Sequence, residues 1–210
     1  MINTCQRCGT CCRKGGPALH LQDKRLIEKG VIPVKHLYTI RKGELVQDNV
    51  VGRLEPVSAD LIKIKGRGNE WTCRFFEDEG NICRIYQSRP TECRVLKCWD
   101  IREIEQLYAK ARLSRKDILA NINGLWHLIG DHEKRCSYEK IRQLLGNESR
   151  KKGIRNILEM IRYDDEMRVL VVEKSGLDPG MLDFLFGRPL LETIHMFGLH
   201  VGKEDGHYLA

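Results

Sequence analysis

The sequence predicts an α+β protein: a small, irregular, metal-bound cysteine-rich region with short strands and hairpins, docked on a mainly helical C-terminal half. Three observations predict it. Eight of the nine cysteines fall in two blocks before residue 100. Short alternating or turn-bounded apolar runs fill the space between the blocks. From Trp99 onward, apolar residues recur at helical spacing. The expected division is residues 1–100 as the cysteine-cluster region and 101–210 as the helical region, packed together as one globular unit.

The first block, Cys5-Gln6-Arg7-Cys8-Gly9-Thr10-Cys11-Cys12, carries four thiols in eight residues. Two residues between thiolates let one loop turn both sulfurs onto the same metal. Arg13-Lys14-Gly15-Gly16-Pro17 reads as a loop. Residues 19–30 have helical character, with Leu26 and Ile27 on one side and Gly30 as the stop. Residues 37–46 suggest a hairpin turning at Lys42-Gly43. In 60–65, Leu61, Lys63 and Lys65 alternate with Ile62 and Ile64, as in a half-buried strand. The second block follows, with Cys73 and Cys83 on the two arms of a hairpin around Glu77–Asn81. Ser88 is a candidate cap and Pro90 a first-turn residue of a helix carrying Cys93, with Cys98 on that turn or just past it.

Beyond residue 100, Ile101, Ile104, Leu107, Tyr108 and Ala111 form one stripe. Ser114 and Asp117 resemble a capping box opening a helix that buries Ile118, Leu119, Ile122, Leu125, Trp126 and Ile129. Further helical segments carry Ile141, Leu144 and Leu145, then Ile154, Ile157, Leu158 and Ile161. Residues 167–173 suit helix or strand equally. Asp178-Pro179 opens a last helix, closed by Gly187 and Pro189.

The start of the chain shows no basic and apolar leader, and no apolar run approaches the roughly 20 residues that span a bilayer. The expectation is a soluble, cytoplasmic protein without membrane contact. In a reducing compartment, an odd number of cysteines argues against a disulfide scaffold. The formal charge of +7 invites a nucleic-acid reading, but ligated thiols are thiolates. Two zinc ions on eight thiolates would lower the charge to about +3, and one cubane cluster to about +5. Much of the basicity then balances a buried anionic centre, and nucleic acid is only weakly supported as a partner.

The candidate metal ligands are Cys5, Cys8, Cys11, Cys12, Cys73, Cys83, Cys93 and Cys98. Arg7, Arg13, Arg89 and Arg94 flank them as surface charge or as neutralising groups. Cys136 stands apart and reads as a non-ligand. His127, His132, His195, His200 and His207 fit no ligand spacing and read as surface or core residues. Tyr86 and Pro90 read as packing and turn residues, and Arg150-Lys151-Lys152 as an exposed helix face.

Cys5-x2-Cys8-Gly9-x-Cys11-Cys12, Cys73, Cys83-x-Ile85-Tyr86, Arg89-Pro90-x2-Cys93-Arg94 and Cys98 together resemble the CxxCxxCC family of zinc- or iron-chelating domains, the YkgJ-type cysteine cluster proteins. The resemblance covers residues 1 to about 100 and implies a cysteine-ligated metal or iron–sulfur site. Flagellin lysine methylases are similar in their cysteine motifs, but Gly66-x-Gly68 is too short for a nucleotide or S-adenosylmethionine loop. The consecutive two-residue gaps of Cys5, Cys8 and Cys11 also resemble the first three ligands of a bacterial ferredoxin, although Cys12 follows at once where a ferredoxin's fourth ligand lies farther on. The expected cofactor is an iron–sulfur cluster, 4Fe–4S favoured, with zinc as the alternative. The expected function is electron transfer or support of a modification reaction with a protein partner or substrate. The alternatives are a zinc-stabilised interaction module and metal storage or delivery. No nucleophile–base set, paired catalytic carboxylates or cofactor loop points to an enzyme.

Overall fold

The computed structural model describes residues 5–48, 52–68, 70–108, 110–147, 149–204 and 207–209. It is an α+β arrangement of helices with several two-stranded antiparallel pairs. After a single turn of helix, α1 (Thr10–Arg13), the 19–30 segment forms a 3₁₀ turn at Leu21–Asp23 that runs into α2 (Lys24–Glu28), with Gly30 left-handed as the stop.

The hairpin expected within 37–46 is instead longer. Strand β1 (Leu37–Ile40) pairs with β4 (Leu61–Ile64), and β2 (Leu45–Asp48) pairs with β3 (Arg53–Pro56). Both ladders keep one register, and Gly43 N–H to Val57 O (2.8 Å) and Val57 N–H to Glu44 O (3.0 Å) bridge the gap between them. The chain reverses between Asp48 and Arg53, so Lys42-Gly43 is an irregularity inside one arm rather than the turn. That irregularity turns Arg41 and Glu44 into the interior, where both are buried.

Strand β4 is more than half-buried, with Leu61, Ile62 and Ile64 all covered. The segment 17–19 lies along its free edge through Leu19 N–H to Ile62 O (2.9 Å) and Ile64 N–H to Pro17 O (3.1 Å). On the other side of the pair, α9 (Leu182–Phe186) packs on β1, and Thr39 Oγ1 donates to Phe184 O at 2.6 Å. One apolar cluster therefore combines Leu19, Leu37, Ile62 and Phe76 from the N-terminal half with Leu119, Ile129, Met167 and Phe184 from the helical half.

The second cysteine block contains the expected hairpin, β5 (Phe76–Glu77) against β6 (Ile82–Cys83). Helix α3 (Thr91–Val95) follows, with Pro90 rather than Ser88 at its N-cap; Ser88 closes a separate 3₁₀ turn. Helix α4 (Arg102–Leu107) is exposed or half-buried throughout, and Ile101 is exposed, so the stripe read there is not a core face. The Ser114/Asp117 capping box is present, with Ser114 N–H and Oγ both donating to Asp117 Oδ2 (2.8 and 2.6 Å). Its helix, α5 (Arg115–Leu119), is short, and α6 (Asn123–Arg135) starts anew after exposed Ile122.

Helices α7 (Tyr138–Asn147) and α8 (Arg150–Ser175) pair, and α8 absorbs the ambiguous 167–173 stretch. After α9 come α10 (Leu190–Thr193) and a terminal pair, β7 (Gly202–Glu204) with β8 (His207–Leu209), which sequence periodicity did not signal. Among the described residues, no helix is long and apolar enough to cross a membrane.

Gly187 ends α9 at φ 74°, ψ −174°, a region open almost only to glycine. A Cβ there would sit 2.7 Å from Cγ of buried Arg41. Gly187→Ala is expected to cost about 2–3 kcal/mol in urea unfolding. Gly176→Ala, also at positive φ but with open space around it, should cost only about 1 kcal/mol. Equal losses would mean that backbone strain alone, not the Arg41 contact, sets the requirement at Gly187.

Candidate metal centre

The N-terminal loop is seated on the β5–β6 hairpin by sequence features that leave little choice. Gly9 caps α1 at φ 76°, and a Cβ on it would lie 2.3 Å from the Phe76 ring. Only glycine permits both the left-handed turn and the contact. Arg13 then clamps the loop: Nε to Asp78 (3.1 Å), Nη2 to Asn81 Oδ1 (2.8 Å), Nη1 to Cys8 O (3.0 Å), with its guanidinium over the Phe76 ring. Arg67 pairs with the same Asp78. The two cysteine blocks meet directly, since Cys73 N–H donates to Cys12 O at 2.8 Å.

Cys73 is buried, Cys12, Cys83 and Cys93 are half-buried, and Cys5, Cys8, Cys11 and Cys98 are exposed. The thiols of both blocks sense one another's charge. Cys12 and Cys11 share a hydrogen bond that holds Cys11 below the usual thiol range and pushes Cys12 above it, with burial, Cys93 and Cys73 adding to the rise at Cys12. Burial raises Cys93 first, and then Cys73, Cys11 and Cys83 raise it further. Cys73 is likewise raised by burial, Cys83 and Cys11. Crowded thiols resist ionising together, and a bound cation reverses that penalty. This donor set therefore fits a metal better than it fits bare thiolates.

The outer thiols differ. Cys8 is lowered by a hydrogen bond with Thr10 Oγ1 (3.2 Å), and Cys5 Sγ accepts from Arg7 N–H at 3.4 Å. Around the site, Arg7 and Arg89 both lie against the Tyr86 ring, at 4.2 and 3.7 Å, and the Arg89 charge favours ionised Cys11. Tyr86 is thus a platform for two cations, a role its sequence context did not suggest. Cys136 belongs to a separate apolar cluster with Tyr138, Ile141 and Met160.

Helix α3 holds Cys93 in place through partners that sequence reading passed over. Buried Asp23 accepts from Thr91 N–H (2.9 Å) and Thr91 Oγ1 (2.7 Å) through Oδ1, and from His20 N–H through Oδ2 (3.0 Å). Glu92 accepts from Ala18 N–H at 2.8 Å and faces His20 Nε2 at 3.3 Å. Asp23 acts as a cap supplied from a distant segment. The only local signal was the His20-x-x-Asp23 spacing, which resembles a capping box.

His20 is buried with Nδ1 facing Lys110 O (2.8 Å) and Nε2 facing Glu92. Both ring nitrogens point at oxygen acceptors, which suits the imidazolium. Burial opposes that charge, but the Glu92 and Lys110 contacts outweigh it and raise the pKa. A raised folded pKa gives stability that is complete below the unfolded value of about 6.5 and lost as pH rises through the folded value. Urea midpoints should therefore fall over that interval in the wild type. The corresponding step should be missing in His20→Gln; its persistence would assign the dependence to another group.

A family model described as "Putative zinc- or iron-chelating domain" (CxxCxxCC) matches residues 4–112, just over half of the chain. Neither the curated proteins nor the solved structures compared include a match.

Proposed function

The chain belongs to the CxxCxxCC family of zinc- or iron-chelating domains, and we propose that it holds one iron–sulfur cluster on cysteines of both blocks and passes electrons to a protein partner or supports its modification. Cys11, Cys12, Cys73, Cys83 and Cys93 supply the proposed principal ligands, because each is tied to at least two others by charge. The meeting of the two blocks is the observation that carries the reading: Cys73 N–H donates to Cys12 O at 2.8 Å. Cysteines at two-residue gaps in the first block, completed by a ligand from the second, match the four thiolates that hold a cubane.

When bound, such a cluster supplies one-electron reduction at a site whose edge, at Cys8 and Cys11, is open to solvent. Arg89, Arg7 and the half-buried Lys63 supply positive charge beside it; Lys63 is itself lowered by burial and pulled back up by Glu92 and Cys93. The exposed Cys5, Cys8 and Cys98 favour metal delivery as the second reading. The test is redox behaviour. Anaerobic protein treated with dithionite should give a paramagnetic signal that disappears on reoxidation and returns on a second reduction. A protein that binds iron but releases it on the first cycle would favour delivery.

A further inference from the structure

Two arginines, one from each cysteine block, meet on a single ring. Arg7 lies between Cys5 and Cys8, and Arg89 between Cys83 and Cys93. Their guanidinium carbons stand 4.2 and 3.7 Å from the centre of the Tyr86 ring. Other arginines nearby are neutralised, Arg13 and Arg67 by Asp78 and Arg84 by Glu77. Among the described residues, neither Arg7 nor Arg89 has a carboxylate partner.

The backbone and the hydrogen bonding set this contact apart from chance stacking. Arg7 is held at φ 52°, a left-handed conformation that is unfavourable with a Cβ and persists only where the surroundings fix it. Its N–H donates to Cys5 Sγ at 3.4 Å, so one residue links a first-block sulfur to the second-block ring. Arg89 precedes Pro90, the N-cap of the helix that carries Cys93. Its Nε is buried with no acceptor among the described residues, and its charge reaches Cys11.

An aromatic face attracts a cation, but two cations on one ring repel each other unless an anion stands beside them. The thiols supply that anion when they hold metal. Four thiolates on a zinc ion, or on an oxidised cubane, carry a net charge of about −2. Two unpaired guanidiniums match it, whichever metal is bound. The clamp of Arg13 on Asp78 and Asn81 uses no metal charge and keeps α1 on the hairpin in either state. The part left to move is the loop from Cys5 to Cys8, whose thiols are exposed.

We propose that Arg7, Tyr86 and Arg89 form a charge-operated latch: the anionic metal–thiolate centre holds both guanidiniums on the ring and closes the Cys5–Cys8 loop, and loss of the metal lets their repulsion open it. The latch rests on the reading of the two blocks as one thiolate centre, and it holds for zinc as for iron. Its three residues position the loop, and opening presents Cys5 and Cys8 to incoming metal.

Zinc affinity of the full reduced chain, measured by competition with a chromophoric chelator, tests this, with amide exchange followed over residues 5–13. Arg7→Gln, Arg89→Gln and Tyr86→Leu should each weaken zinc about tenfold, and Arg89→Lys should recover most of the loss by restoring the charge. Zinc should slow exchange over residues 5–8 in the wild type and much less in Arg7→Gln. Arg94→Gln is the matched control: it removes a cation from the Cys93 helix whose side chain donates to Thr91 Oγ1 (3.0 Å) rather than resting on Tyr86, and it should change affinity by no more than about threefold. Should Tyr86→Leu fail to fold by circular dichroism, exposed Arg7 still decides. Wild-type affinity in Arg7→Gln and Arg89→Gln, or an equal loss in Arg94→Gln, would overturn the latch and leave the metal centre intact. Zinc binding that depends on Arg7 and Arg89 in a chain that never assembles a cluster would end the iron–sulfur reading and leave the latch standing. A wild-type chain that binds neither metal would overturn both.

Discussion

Cys93→Ala should strip the metal from the chain and loosen the region between Cys5 and Cys98. Charges from both blocks converge on Cys93 as they do on Cys12 and Cys73, and the Cys93 helix is fixed from outside by Asp23. Removing Cys93 takes away a ligand that no neighbour on α3 can replace. Apparent binding free energies of cysteine-ligated structural metals reach about 10 kcal/mol or more, and that energy is folding energy. The expected outcome is a loss of at least about tenfold in metal retained per chain, with amide exchange accelerating in β5, β6 and α3 but much less in α7 and α8. Cys136→Ala, by contrast, should lose about 1 kcal/mol of stability and none of the metal. Similar metal losses in the two variants would put Cys136 among the ligands.

Asp164→Ala is expected to be the most damaging substitution in the helical half. Asp164 is buried and accepts from His132, Arg168 and Leu190 N–H at once. Burial alone would push its carboxyl up, but the His132 hydrogen bond and the Arg168 charge overcome that and hold it below the usual carboxylate range. Alanine leaves buried Arg168 with only the longer contact to Asp183 (3.8 Å) as its carboxylate, and breaking a buried pair costs about 3–5 kcal/mol. Urea unfolding should show that loss, with Asp164→Asn recovering part of it by keeping an acceptor for Arg168. A loss under about 1 kcal/mol would mean that water reaches the cluster and solvates Arg168.

What the sequence made legible is local. The CxxCxxCC block, the hairpin between Cys73 and Cys83, and the Ser114/Asp117 box each depend on residues within a few positions of one another, and each is present. The family assignment came from the same short-range spacing. What escaped depends on pairing across distance. The hairpin turn was placed at Lys42-Gly43 because Gly43 is the natural local signal, while the register is set by residues up to 27 positions apart, from Leu37 to Ile64. Helix α3 is capped by Asp23, not by the nearby Ser88, and no local pattern reports a cap 68 residues away. The buried ionic centre was invisible for a related reason. No local pattern marks Arg41, Arg115, Asp164 and Arg168 as buried, and only tertiary packing closes around them. At the candidate site, spacing singles out the eight cysteines, but that the two blocks meet follows only from the way the N-terminal loop is seated on Phe76.

Metal identity in anaerobically prepared protein is the most direct test of the iron–sulfur reading. The prediction is a brown protein with about four iron and four acid-labile sulfide per chain, and broad absorption near about 400 nm from sulfur-to-iron charge transfer. Air exposure should bleach it, and zinc found only in aerobic samples would reflect occupation of the same thiolates. A colourless anaerobic protein containing stoichiometric zinc, with no cluster after reconstitution by iron and sulfide, would contradict the iron–sulfur assignment and leave a zinc-stabilised module in its place.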